Sequence, residues 1–147
     1  SKLDYGAQIV VEWRGKPVYV VKRSSEAISN LETYGSNILR DKDSELASQP
    51  DYVLGNSRTL PGKEEILVIV GLCTHLGCAP MYRPDVGAKD LGGEEWLGGF
   101  FCPCHGSKFD LSGRVYAGVP APSNLEVPPH SYESQNVIVI GVDTENA

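Results

Sequence analysis

Apolar residues in this chain fall in short runs and not at helical spacing. "QIVVEW" and "KPVYVVKR" read as two strands, and the turn that joins them, "RGK", contains Gly15, so the pair predicts a hairpin. "SSEAISNLETY" is the one good helix candidate. Ser24 or Ser25 can cap it, Glu26 suits its first turn, and Gly35 is a plausible stop. Residues 36–64 are polar and irregular and read as loop with short strands. "EEILVIVGLC" is a strand running straight into a cysteine. Residues 79–99 hold five Gly and two Pro and read as an excursion loop. "FFCPCHGSKFDLSGRVY" predicts a strand, a tight loop and a returning strand, and "GVPAPSNLEVPPH" is too rich in proline for a central strand. "NVIVIGV" closes the pattern as a strand. The fold class expected is all-β: antiparallel sheets, one short helix, and a small subdomain at about 71–119 nested in a base of about 1–70 and 120–147, the whole of 1–147 forming one domain.

Length and composition narrow the function. A chain of 147 residues, 41% hydrophobic and 22% charged, fits one globular domain. The net charge of −6 disfavours nucleic acid and anionic lipid as partners. The mixed-sign stretches "KRSSE" and "RDKDSE" read as solvated surface. The longest apolar run, Ile66 to Cys73, has eight residues, whereas a membrane-spanning helix needs about 20. With no initiator Met and no signal peptide, the sequence reads as a processed or trimmed product, and an anchor outside it stays open.

The chemistry concentrates in two stretches. "CTHLGC" contains Cys73, His75 and Cys78; "CPCHGS" contains Cys102, Cys104 and His105. All four cysteines and two of the three histidines lie there. Unreactive buried thiols, a zinc site and a disulfide-only scaffold are the plain readings. Structural zinc favours C-x2-4-C knuckles, and four-coordinate zinc leaves two of these six groups over. A disulfide scaffold does not explain a histidine beside cysteine in both loops. A mixed arrangement uses every residue: each loop gives one Cys and one His to a metal centre, and the remaining two cysteines bridge the loops.

The motifs C-x-H-x-G-C and C-x-C-H-x-S resemble the two boxes of Rieske iron–sulfur proteins, and most specifically the bc1-complex branch of that family. "WRGKPVYVVKR", "CPCHGSKFD", "SGRV" and "GVPAPSNLEVPP" follow in family order, so the resemblance covers most of the chain. It implies one [2Fe–2S] cluster held by Cys73, His75, Cys102 and His105, with Cys78 and Cys104 joined as a disulfide, hence an oxidising compartment. It implies an electron-transfer subunit of a quinol–cytochrome-c reductase, an enzyme as a complex. That subunit takes an electron from ubiquinol at the histidine tip and passes it to cytochrome c1, with the cytochrome b and cytochrome c1 subunits as partners. It further implies an N-terminal membrane helix outside this sequence and a place on the periplasmic face of a bacterial inner membrane. Service to arsenite oxidase or an oxygenase is the alternative; oxygenase-type Rieske domains lack the two spare cysteines.

Family roles transfer to named positions. His105 hydrogen-bonds the quinol oxygen and His75 is the other exposed ligand. Leu76 packs near the cluster and the quinol pocket, and the Ser107 hydroxyl donates to a bridging sulfide. "GVPAP", 118–122, resembles the proline loop that covers the cluster, with Val119 as an extra residue. Position 109 departs from the family: many bc1-type chains carry a tyrosine whose hydroxyl donates to a ligand sulfur, and Phe109 has no donor. Replacing two thiolates by neutral imidazoles leaves the oxidised centre neutral, so adding an electron costs less electrostatic work. His130 is expected at the surface, and Trp13 and Trp96 in packing roles.

Overall fold

A computed structural model describes residues 3–142. The first sheet is antiparallel, with β1 (Gln8–Trp13), β2 (Lys16–Lys22) and β3 (Ile66–Val70) in the order β1-β2-β3. Arg14 and Gly15 both take positive φ in the turn between β1 and β2, the conformation a two-residue hairpin turn requires. Strand β2 is apolar at consecutive positions because both its faces are covered. Tyr19 and Val21 join Leu67 and Ile69 in the main core. Val18 and Val20 join Val68 in a second core, against Ile138 and Ile140. Period-two alternation thus splits one apolar run between two cores.

The second sheet, β4 (Met81–Arg83), β5 (Gly99–Phe101) and β6 (Lys108–Asp110), is also antiparallel. It divides its aromatics in the same way: Phe100 and Phe109 enter the main core, while Phe101 packs with Leu91 and Trp96 on a third cluster. Strands β7 (His130–Ser134) and β8 (Val137–Ile140) form a bulged hairpin. The all-β expectation therefore holds. Its main core is continuous, running from β2 and β3 through Cys73, Phe100, Cys102 and Phe109 to Leu125 and Val127.

The helix is shorter than the sequence predicts. Helix α1 covers Ser25–Asn30 and gives way to a 3-10 turn at Leu31–Thr33. Ser24 is the cap, its Oγ accepting the Ala27 amide at 3.1 Å. The helix tightens where Leu31 turns inward to burial and Tyr34 becomes extended. Residues 79–99 are not all loop, since β4 lies within them, followed by two 3-10 turns at Lys89–Leu91 and Gly93–Glu95. Within 36–64 the expected short strands reduce to isolated bridges, Leu39 with Tyr116 and Leu54 with Thr59.

Several polar residues expected at the surface are buried. Arg23 in "KRSSE" and Asp41 in "RDKDSE" are both buried, as is His130 at 0% exposure. Arg23 is satisfied by the carbonyls of Ser57, Glu64 and Leu111 and by Ser112 Oγ. Arg58 and Arg114 are buried too, and together the three guanidiniums hold irregular segment 36–64 against the turn that follows β6. Burial lowers the pKa of Arg23 and Arg58, yet each keeps its hydrogen bonds. Asp110 anchors that turn. Its Oδ1 accepts the amides of Ser112 and Arg114, and its Oδ2 pairs with Arg114 Nε at 2.7 Å. His130 is inside because it begins β7, where Nδ1 meets the Pro128 carbonyl at 2.8 Å and the ring packs between Tyr52 and Tyr132.

Candidate metal centre

Strand β3 delivers the chain to Cys73, and β5 delivers it to Cys102, so the two loops leave neighbouring parts of one core. The loops share a single backbone plan. Cys73 N donates to Cys78 O at 2.7 Å and Gly77 N to Cys73 O at 2.9 Å; Cys102 N donates to Ser107 O at 2.8 Å and Gly106 N to Cys102 O at 2.9 Å. Gly77 and Gly106 have φ of 82° and 83°, a left-handed turn that favours glycine. The fifth-position glycine in "CTHLGC" and "CPCHGS" is the sequence mark of this shared frame, and only its metal-ligand spacing was legible without the structure. Cys73 matches Cys102 in the frame, whereas His75 lies one step earlier than His105.

The plan turns side chains of different kinds to different places. Cys73 and Cys102 are buried free thiols within hydrogen-bond reach of each other. Burial is the main cause that pushes the Cys73 thiol up, and the His75 amide and the Ser107 hydroxyl, by hydrogen-bonding its sulfur, oppose that shift. The His75 and His105 rings meet edge to face, centroids 4.7 Å apart. His105 is exposed and His75 half-buried. Leu76 stands beside them, 70% exposed, so it is a tip residue and not part of the loop's core.

Cys78 and Cys104 form a disulfide, closing the loops across 26 residues with Cα atoms 6.5 Å apart. The Cys102 sulfur lies within 4.8 Å of both bridge sulfurs. Bonded to each other, Cys78 and Cys104 have no thiolate for a metal. The ligating groups left among these loops are two thiols and two imidazoles.

One atom tests whether this donor set suits a metal group. His75 Nδ1 is buried and, among the described residues, lacks a hydrogen-bond partner. A buried ring nitrogen left so is costly unless something accepts its lone pair, and a cation beside the two thiols meets that need. The donor set fits a two-Cys, two-His group.

The proline loop is tied to both cysteine loops. Ala121 is fully buried and its amide donates to Ser107 Oγ at 3.0 Å. Arg40 Nη2 donates to Val119 O at 2.6 Å, and Thr74 Oγ1 to Ser123 O at 2.6 Å. Val119, the extra residue, packs against the core that includes Cys73 and Cys102. The Phe109 ring is fully buried within that core.

The comparisons with known proteins agree with this picture. A family model described as the Rieske [2Fe-2S] domain matches residues 1–129. The ubiquinol-cytochrome c reductase iron-sulfur subunit of Allochromatium vinosum is 50% identical over all 147 residues, which span 69% of its length. The same-named subunit of Rhodobacter capsulatus is 39% identical over 96% of this chain and 72% of its own. A mitochondrial Rieske subunit of Nicotiana tabacum is 39% identical over 96% of this chain, which spans 44% of it. Among solved structures, a hyperthermophilic respiratory Complex III chain superimposes with a TM-score of 0.54 at 25% identity, covering 94% of this chain and 68% of its own.

Proposed function

Because the chain belongs to the Rieske [2Fe-2S] domain family, we propose that it is the electron-transfer subunit of a ubiquinol–cytochrome c reductase and that Cys73, His75, Cys102 and His105 hold its cluster. The observation that carries the ligand set is the buried Nδ1 of His75, without a hydrogen-bond partner among the described residues, in the same loop as Cys73, whose free thiol is within hydrogen-bond reach of that of Cys102. When bound, such a group supplies a one-electron couple at a higher potential than an all-thiolate one.

The chain's own residues do the rest. Cys73 and Cys102, buried, keep water from the sulfur side of the site. His105, exposed at the tip, presents the ring nitrogen that faces away from the site to a quinol hydroxyl, and can hold the proton that leaves with the electron. Leu76 offers the apolar contact against which a quinone ring can lie. The Cys78–Cys104 bridge keeps the loops from parting. Residues 71–119 act as the site-bearing unit, set in a base formed by the rest of the described chain, residues 3–70 and 120–142; the ends of the expected base, 1–2 and 143–147, lie outside the described residues.

The partners proposed are the cytochrome b and cytochrome c1 subunits, and the location is the periplasmic face of a bacterial inner membrane. Among the described residues no helix is long and apolar enough to cross a membrane; attachment is through an N-terminal helix outside this sequence. The test is iron and acid-labile sulfide content with an EPR spectrum of the reduced protein. Two irons and two sulfides per chain are expected, lost in Cys73→Ser and His75→Ala. Zinc in place of iron, or a cluster that persists in both variants, overturns the reading.

A further inference from the structure

The segment Pro120-Ala121-Pro122 has a single amide proton, because proline has none. That proton goes to one acceptor, the Oγ of Ser107 at 3.0 Å. Ser107 and Ala121 are both fully buried, so bulk water does not compete. A hydroxyl that accepts one bond still has its own proton to give. Ser107 is also tied to the second cysteine loop, its carbonyl accepting the Cys102 amide at 2.8 Å, and its hydroxyl opposes the upward pKa shift of the Cys73 thiol. The atoms therefore form a short relay from the Ala121 amide through the Ser107 hydroxyl to the sulfur side of the site.

We propose that the Ala121 backbone N–H is a positioning donor, which fixes the Ser107 hydroxyl so that its proton points at the sulfurs and thereby raises the reduction potential of the group held there. This rests on the ligand set proposed above. The sign follows from charge. Reduction makes the site more negative, a donor aimed at sulfur favours that form, and an N–H feeding the hydroxyl oxygen polarises its O–H further. The loop is braced for this task. Arg40 holds the Val119 carbonyl, and Thr74 holds that of Ser123, so Ala121 is clamped from both directions.

The experiment is a midpoint titration of the cluster-loaded protein with Ala121 replaced by its ester analogue, which removes the N–H and little else. The reduction equilibrium should fall about fivefold, the effect of one hydrogen bond, or about 41 mV at 59 mV per tenfold for one electron. In a Ser107→Ala background the ester should cause no further shift. Arg40→Ala, which leaves the amide in place, should give a smaller fall that also vanishes with Ser107→Ala. An ester protein with full iron content, a lower melting temperature and an unchanged potential overturns the inference, as does an equal shift in both backgrounds. Parent protein without iron and sulfide sinks the ligand set itself and this inference with it. A loaded parent with no shift sinks only the inference.

Discussion

Phe109 fills a fully buried slot in β6, directly after the second loop. A phenyl ring packs there without offering a proton, so the site has one donor fewer than a tyrosine would give it. Phe109→Tyr should raise the midpoint potential by about 40 mV, the worth of about 1 kcal/mol for one electron; a redox titration showing no rise would refute this. His130 is a second case in which one atom type decides behaviour. Burial lowers its pKa below the ordinary histidine value, so the folded protein keeps the ring neutral while the unfolded chain takes up a proton. The folded form therefore loses stability as pH falls below about 6.5, by at most about 1.4 kcal/mol per pH unit. Urea unfolding between pH 7 and 5 should show a shallower loss for His130→Gln than for the parent. The sequence made the six cysteine and histidine positions conspicuous because two compact Cys/His clusters seldom arise by chance. It hid the burial of His130, Arg23 and Asp41, because a polar residue goes inside only when distant carbonyls, amides and rings meet it, and those partners are far away in the chain.

Strand, turn and loop differ in how openly they were written. β1, β2, β3 and β8 were legible as runs of β-branched residues. β4 was not, because three residues between Pro80 and Pro84 carry no period to detect, and it is a strand only because β5 pairs with it. β7 was masked by the prolines that precede it. The helix cap was legible and the helix end was not, since Leu31 is drawn inward by tertiary packing. The disulfide acts at this same scale. Closing 26 residues should restrict the unfolded chain by about 3 to 4 kcal/mol. Cys78→Ser with Cys104→Ser should lose cluster absorbance on warming before the sheets melt by far-ultraviolet circular dichroism. Coincident transitions at the parent temperature would refute that role.

Across the whole molecule, three buried arginines bind the irregular middle of the chain to the turn beneath the site. Only Arg114 has a buried carboxylate partner within salt-bridge reach among the described residues, Asp110. Arg114→Met leaves that buried carboxylate with its two backbone amides but no ion-pair partner, and should destabilise the fold by about 3 to 5 kcal/mol. Adding Asp110→Asn should recover part of the loss in urea denaturation; no recovery would mean that the carbonyl contacts of Arg114, and not its charge, matter most.

The ties between the two sheets have a mechanical outcome. Tyr19 Oη grips the Pro80 carbonyl at 2.8 Å, Tyr82 Oη grips that of Gly6 at 2.7 Å, and a single core fills the gap between them. A histidine tip mounted so firmly has no give of its own. A covalent staple between the two sheets would therefore leave the spacing of the His75 and His105 rings unchanged.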